Sequence, residues 1–497
     1  MQPGLIVPGE KVFELPEKVL QFGTGVLLRG LPDYFIDKAN RQGLFNGRIV
    51  IVKSTSQGDT DGFSKQDGLY TTCIRGVENG EQIDESIINA SISRVITATD
   101  NWHTVLECAH NPDLQIIISN TTEVGITLVE DDIRLQPPIS FPGKLLAFLY
   151  ERFKVFAGTG ESGMIIIPTE LITENGEKLR NIVLQLATMN KLESDFIQWL
   201  MISNHFCNSL VDRIVPGKLQ DHERINIEKR LGYRDELMIM SESFRLWAIE
   251  SGEERVKQAL SFAGADEGVV IAPDIEKFRE LKLRLLNGTH TFSCALAWLA
   301  GFTTVREAMD NEQMCATIYG LATREIAPAI SGKIISYDEA IAFAKKVMDR
   351  FRNPYLDHSW LNISVQYTSK MKMRNVPVLL AHYSKSSQPP ELMSMGFAAY
   401  LLFMKGNKNS KGQYEGFANG VTYPIQDESA GILAAKWHDT DPGRLVENVL
   451  ADKDLWGEDL RRLNGFSETV KSHLHELIKY GAMAAIRRVC LNKTEAG

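Results

Sequence analysis

The sequence predicts two domains: an α/β domain with a mostly parallel sheet over residues 1–275, and a mainly α-helical domain over 276–497. Three observations lead there. Short β-branched runs alternate with helical patterns through the first half of the chain. After about residue 275 such runs give way to successive long amphipathic patterns. A length of 497 residues also exceeds what one hydrophobic core serves.

In chain order, "KVLQFG" (18–23) is an apolar run closed by glycine, and "RIVIVKS" (48–54) has a β-branched, apolar centre, as a strand buried on both faces should. "LQIIISN" (114–120) and "GMIIIPTE" (163–170) repeat the signal, and "GVVIAP" (268–273) is expected as a fifth strand. "KLLAFLYERFKVF" (144–156) and "EKLRNIVLQLATM" (177–189) are helical patterns between them. Strands separated by helices imply βαβ units. The boundary falls near "APDIEKFRE" (272–280). Beyond it, helices are expected over 275–300, 304–329, 337–351, 390–405, 443–462 and 467–490, without strands. "MKGNKNSKGQYEGFANG" (404–420) reads as a surface loop.

Composition excludes several function classes. A net charge of −9 leaves no basic excess to neutralise phosphates, so nucleic acid is not an expected partner. The most apolar runs, "GMIIIP" and "CALAWLAGF", fall short of the roughly 20 residues of a membrane span. The N-terminal stretch carries early acids and prolines and no continuous apolar run, so no secretory leader is expected. The six cysteines are dispersed with no CxxC pair, which implies reduced thiols in a cytoplasmic protein. No His/Cys cluster has ligand spacing, so no metal is expected, and no obligate protein partner is evident.

"VLQFGTGVLLRG" (19–30) is strand, glycine turn and helix start. Gly23 allows a tight turn. Gly25, lacking a Cβ, lets backbone N–H groups approach a pyrophosphate at the helix start. This marks the α/β domain as Rossmann-like, with Phe22, Gly23, Thr24, Gly25 and Arg29 as cofactor-binding candidates. The third position of the fingerprint holds Leu28, not Gly or Ala. At the end of the second strand, where an acid usually holds the ribose, stands Lys53; Asp59 and Asp61 come later. Lys53 is either a counter-charge for a 2′-phosphate or a solvated strand-end lysine, so the residues leave NAD versus NADP open. "SNTTEVG" (119–125) follows a buried strand, whose carboxyl end faces the ligand crevice, so Asn120, Thr121 and Glu123 join the candidates.

In "KLRLLNGTHTF" (282–292), an otherwise apolar helical run carries Lys282, Asn287 and His290. At about 100° per residue of an α-helix, Asn287 lies near ~140° and His290 near ~80° from Lys282. One helix can therefore aim all three into one cleft. Gly288 between them suits a close ligand. Reduction of a ketone requires a proton for the oxygen that becomes an alkoxide. Lysine can donate it, and amide and imidazole N–H groups can hold the developing charge.

With these residues the chain resembles the mannitol dehydrogenase family of polyol and sugar-acid dehydrogenases. Its catalytic helix reads K-x4-N-x2-H, which Lys282, Asn287 and His290 match at every position. "LVDRIVP" (210–216), "QDGLYT" (66–71) and "SNTTEVG" also belong to its pattern, and the resemblance spans nearly the whole chain. It implies NAD-linked hydride transfer on a small sugar-acid substrate, with Lys282 as general acid/base and Asn287 and His290 polarising the reacting oxygen. One departure stands out. Polyol enzymes carry S-C-D-N-x-x-x-N-G after the fourth strand, with the first asparagine as a second oxyanion donor. Here "PTELITENG" puts Leu171 at that position and keeps Asn175 and Gly176, leaving Asn175 as a substrate-binding candidate. An acid substrate needs a counter-charge, and "SKMKMRNVP" (369–377) offers Lys370, at the family's serine–lysine pair; Lys372 and Arg374 read as a solvated basic loop. A non-catalytic dinucleotide-binding regulator is the alternative of another class, and the intact triad argues against it.

Overall fold

The computed structural model describes residues 5–54, 60–121, 124–438 and 441–494, with side chains to 490. The chain divides into two compact units: Met1–Arg75 with Gln82–Ile275, and Glu276–Gly497 with the hairpin tip Gly76–Glu81.

The first unit is built on a six-stranded sheet. Its strands are β1 (Glu17–Phe22), β2 (Arg48–Lys53), β3 (Ile92–Thr97), β4 (Ile116–Ser119), β5 (Ile165–Pro168) and β6 (His205–Phe206). They run in the order β3-β2-β1-β4-β5-β6, all parallel. This is the doubly wound order in which the strand direction of travel reverses between β1 and β4. The β-branched runs make it possible. Val19, Ile49, Ile51, Ile116, Ile118, Ile165 and Ile167 enter one core with the helices Pro32–Arg41 and Glu254–Ala259. Their alternates Leu20, Phe22, Val50, Val52, Ile117 and Ile166 enter the other, with the helices Phe141–Val155, Asn175–Met189 and Ser194–Ile202. A strand covered on both faces has no polar side, which is why these runs are uninterrupted.

The fifth expected strand forms at Val269–Ala272 but not in this sheet. It pairs with Leu246–Glu250, itself paired with Ser209–Asp212, in a separate three-stranded sheet. The places beside β2 and β5 are taken by β3 and β6. β3 is an edge strand whose Ser93 and Arg94 are partly or fully exposed, and β6 has two residues; neither carries an apolar run long enough to announce itself.

In the second unit, Glu276–Leu299 is one continuous helical rod, but its middle, Leu281–Asn287, is π-helical. Two further π segments occur among the described residues, Leu321–Ile326 and Met371–Asn375. The rod's second half packs on the helix Glu391–Phe403, which packs in turn on Phe466–Tyr480. A Cβ on Gly396 would stand 2.8 Å from the Phe292 carbonyl oxygen, so the first two of these helices touch backbone to backbone. The expected loop at 404–420 is instead most of an antiparallel sheet, Gly406–Lys408, Tyr414–Ala418 and Val421–Ile425, whose strands are too short and polar for a periodicity signal. No helix of the described residues is long and apolar enough to cross a membrane.

Candidate active site

The glycine turn sits at the switch point of the first unit. Gly23 has φ +130°, a conformation that side chains rarely adopt, and its N–H donates to the Val52 carbonyl at 3.1 Å. A Cβ there would lie 3.0 Å from Leu28 and 3.1 Å from the carbonyl oxygen of Asn120. The loops after β1 and β4 therefore close on one another through glycine. Thr24 follows, partly buried. Gly25 is exposed, with ordinary φ of −62°, and nothing lies within 4 Å of where its Cβ would be. It opens the helix Val26–Gly30, whose first turn no side chain caps. Uncapped N–H groups behind an open glycine fit a dinucleotide pyrophosphate. Two variants separate these roles. Gly23→Ala should cost about 1–3 kcal/mol of stability in denaturant titrations, because the strained φ persists with a Cβ attached. Gly25→Ala should leave stability within error and weaken NADH binding in fluorescence titrations.

The third fingerprint glycine has a substitute. Gly30 takes the close packing that Leu28 cannot: a Cβ on it would meet Val215 at 2.8 Å. Arg213, from "LVDRIVP", donates to the Gly30 carbonyl at 2.6 Å and to the Glu242 carbonyl at 2.9 Å, with its guanidinium over Tyr34. That motif buttresses the glycine-turn helix; burial pulls the Arg213 pKa down to about 10.

Several expected contacts are corrected by burial. The Phe22 ring is wholly buried, 5.2 Å from the Phe141 ring, so only its backbone borders the crevice. Arg29 turns inward: its guanidinium lies over the Phe63 and Tyr70 rings and donates to the Leu237 carbonyl at 2.6 Å. At 8% exposure its charge is committed to the interior. Asn175 is spent on backbone. Its amide donates to the carbonyls of Pro168, Glu170 and Ser209, and its oxygen accepts from the N–H groups of Gly176 and Ser209. No donor is left for a substrate. Leu171 is 60% exposed and offers none either. Asn120 donates to the Thr169 carbonyl and hydroxyl, and Thr121 to the buried carboxylate of Glu170 through both N–H and hydroxyl. These two residues shape the loop after β4. Glu123 lies outside the described residues. Lys53 is 8% exposed, which removes the solvated alternative.

Lys282 and Asn287 both belong to the π-helical segment, and this changes their geometry. In α-helical register they would stand about 140° apart. A π-helix bonds i to i+5, so residues five apart share one face, as residues four apart do in an α-helix. K-x4-N is that spacing. His290 follows one turn on, in the α-helical part of the rod. Switching between i→i+5 and i→i+4 bonding disturbs the ladder, and side chains serve its carbonyls here. Thr291 donates to the Asn287 carbonyl at 2.7 Å, Asn375 to the Gly288 carbonyl at 3.1 Å, and Tyr367 to the Thr291 carbonyl at 2.7 Å. The Met371–Asn375 segment passes beside Gly288, whose Cβ position lies 4.0 Å from the Arg374 carbonyl oxygen, an ordinary contact that does not itself require glycine.

His290 stacks on Phe351 at 3.9 Å and meets Trp360 and His358 edge-on. Its Nε2 is enclosed and has no partner. Burial first, then the charges of His358, Arg350, Arg374 and Lys370, hold its pKa well below 6.5, so the imidazole is neutral at neutral pH. A buried neutral imidazole with a partnerless nitrogen is a hydrogen-bond site awaiting a ligand. Among the described residues nothing bonds the Asn287 carboxamide, and Lys282 is partly buried beside it on the rod. Lys370 donates to the Ile363 carbonyl at 2.9 Å, and burial and Arg374 lower its pKa. The stretch around it is helix, not loop. Lys372 is exposed and bonds the Asp454 carbonyl, but Arg374 is partly buried and burial lowers its pKa. Asn375 escaped the sequence reading although Lys370–Asn375 repeats the K-x4-N spacing of Lys282–Asn287, a signal that could have found it.

A family model described as the mannitol dehydrogenase Rossmann domain matches residues 17–260, and one described as the mannitol dehydrogenase C-terminal domain matches 274–478. The chain belongs to the mannitol dehydrogenase family. Among its relatives are altronate oxidoreductases of Halalkalibacterium halodurans, 37% identical across 96% of this chain and 94% of that one, and of Bacillus subtilis, 37% identical across 97% of each. In fold it is similar to D-sorbitol dehydrogenase (TM-score 0.78, 19% identity, 98% of each chain). It is also similar to Pseudomonas fluorescens mannitol 2-dehydrogenase, solved as a ternary complex with NAD and D-mannitol (TM-score 0.65, 20% identity, 98% of this chain and 97% of that one).

Proposed function

We propose that this dehydrogenase interconverts D-tagaturonate and D-altronate with NAD as hydride carrier and Lys282 as general acid/base. The observation that carries the reading is the buried, partnerless Nε2 of His290, in cationic surroundings and on one rod with Asn287 and Lys282. The altronate oxidoreductases that the chain resembles over 96–97% of its length supply the substrate.

In the reductive direction the keto oxygen accepts hydrogen bonds from the Asn287 amide and from His290. A neutral imidazole N–H suits this task because it strengthens its bond as negative charge grows on the oxygen, without giving up its proton. The Lys282 ammonium delivers the proton that completes the alcohol; in the oxidative direction its amine takes that proton back. Lys370 adds positive charge on the substrate side. Gly23, Thr24 and Gly25 would hold the dinucleotide, which supplies or accepts the hydride when bound. Leu171 in place of a second oxyanion asparagine leaves the oxygen to these two donors and marks the pocket as different from a polyol enzyme's. Free thiols and a small-metabolite substrate support a cytoplasmic location.

A substrate panel tests the reading. D-tagaturonate, D-fructuronate and D-fructose are assayed with NADH and with NADPH. Tagaturonate with NADH should exceed every other pair by at least about tenfold in kcat/KM, the size of a single lost polar contact. Faster turnover of fructuronate or fructose sinks the substrate assignment. Preference for NADPH transfers Lys53 to a 2′-phosphate.

A further inference from the structure

Arg374 is a partly buried cation for which no anion stands among the described residues. It is the last residue but one of the third π segment, and its Nη1 donates to the Thr291 hydroxyl at 3.2 Å. That is its one side-chain hydrogen bond, and among the described residues no carboxylate pairs with it. Two buried arginines elsewhere spend their donors more fully. Arg152 serves the carbonyls of Ser162, Ala109, Asn111 and Leu114, and Arg75 pairs with Asp84 and Glu223. Arg284, which holds the Arg374 carbonyl, is itself paired with Glu280. A guanidinium presents five donors, so most of Arg374's fork is unspent. Its charge is also felt by Lys370 and His290, so positive charge accumulates where burial makes it costly. An anion beside it would offset that cost.

We propose that Arg374 binds the carboxylate of the substrate through its guanidinium fork, and so makes the enzyme select sugar acids over neutral ketoses and polyols. The inference deepens the keto-uronate reading above and rests on it. The planar fork matches a carboxylate in two parallel hydrogen bonds, which a lysine cannot. Lys370 already spends a donor on Ile363. The Thr291 hydroxyl links recognition to chemistry: it accepts from Arg374 and donates to the backbone of Asn287, so the acid end and the carbonyl end of a substrate are gauged from one helical turn.

Two readouts test it on the full-length protein. In steady-state assays, Arg374→Ala should lower kcat/KM for tagaturonate about a hundredfold, mostly through KM, while neutral D-tagatose changes only a few-fold. Arg374→Lys should restore part of the loss, because charge returns without the fork. Independently of turnover, calorimetric binding of D-altronate to the NADH-loaded protein, a dead-end complex, should weaken by a similar factor. Equal losses for acid and neutral sugars, or altronate affinity within about threefold of the parent, overturn the proposal. So does loss of acid selectivity from Lys370→Ala but not from Arg374→Ala. If the parent protein turns over a different keto-uronate, the substrate assignment falls while Arg374 is judged by the same ratio on that acid. A parent that prefers neutral ketoses overturns both.

Discussion

Lys282→Ala should lower turnover in both directions by three or more orders of magnitude while NADH still binds, because proton delivery and the pre-positioned charge are lost together. Lys282 shares a π-helical face with Asn287, so its amine serves the same oxygen that the carboxamide polarises. The glycine turn that would hold the dinucleotide belongs to the other unit of the chain, so the cofactor's dissociation constant should be unmoved. Fluorescence titration with NADH, alongside stopped-flow reduction of tagaturonate, separates the two effects. A variant that keeps more than a tenth of the parental rate excludes Lys282 as the proton carrier.

His290→Gln should lower kcat by about 10²–10³, the usual effect of losing an oxyanion donor in a water-excluded site. Its pH behaviour is more diagnostic. Burial and four neighbouring cationic or titratable groups keep the folded-state pKa well below the ordinary 6.5. The folded protein therefore binds fewer protons at this site than the unfolded chain does. Stability from a neutral His290 is fully present above about pH 6.5 and is lost as pH falls below it, by up to about 1.4 kcal/mol per pH unit. Urea titrations at pH 7.5 and pH 5.5 should show the parent losing stability relative to His290→Gln on acidification, and the pH–rate profile should carry no limb from this residue between pH 6 and 8. An imidazole resonance from His290 that titrates near pH 6.5 in the folded protein contradicts the burial argument.

Much of this was legible in the residues. Ile116–Ser119 and Ile165–Pro168 announce themselves because a strand covered on both faces needs apolar side chains at every position. The turn at Gly23 is legible because few residues besides glycine tolerate its φ. Ile92–Thr97 was not, since an edge strand tolerates Ser93 and Arg94 on its open side. Arg29 and Asn175 misled for a different reason. Each stands where a ligand contact is expected, but whether a polar side chain meets ligand or backbone depends on neighbours far along the chain: Leu237 for Arg29, Ser209 for Asn175.

By itself the sequence determined the parallel sheet, the glycine turn at its switch point, and a lysine, an asparagine and a histidine spaced along one rod. These follow from local rules: periodicity, backbone freedom and residue type. Only the tertiary structure decided the π-helical register that brings Lys282 and Asn287 onto one face, and the partial burial of Arg374 with no anion beside it among the described residues. Both depend on contacts from residues some 80 positions away, Asn375 on the Gly288 carbonyl and Arg374 on the Thr291 hydroxyl, and hydrogen bonds over such separations leave no trace in any local pattern.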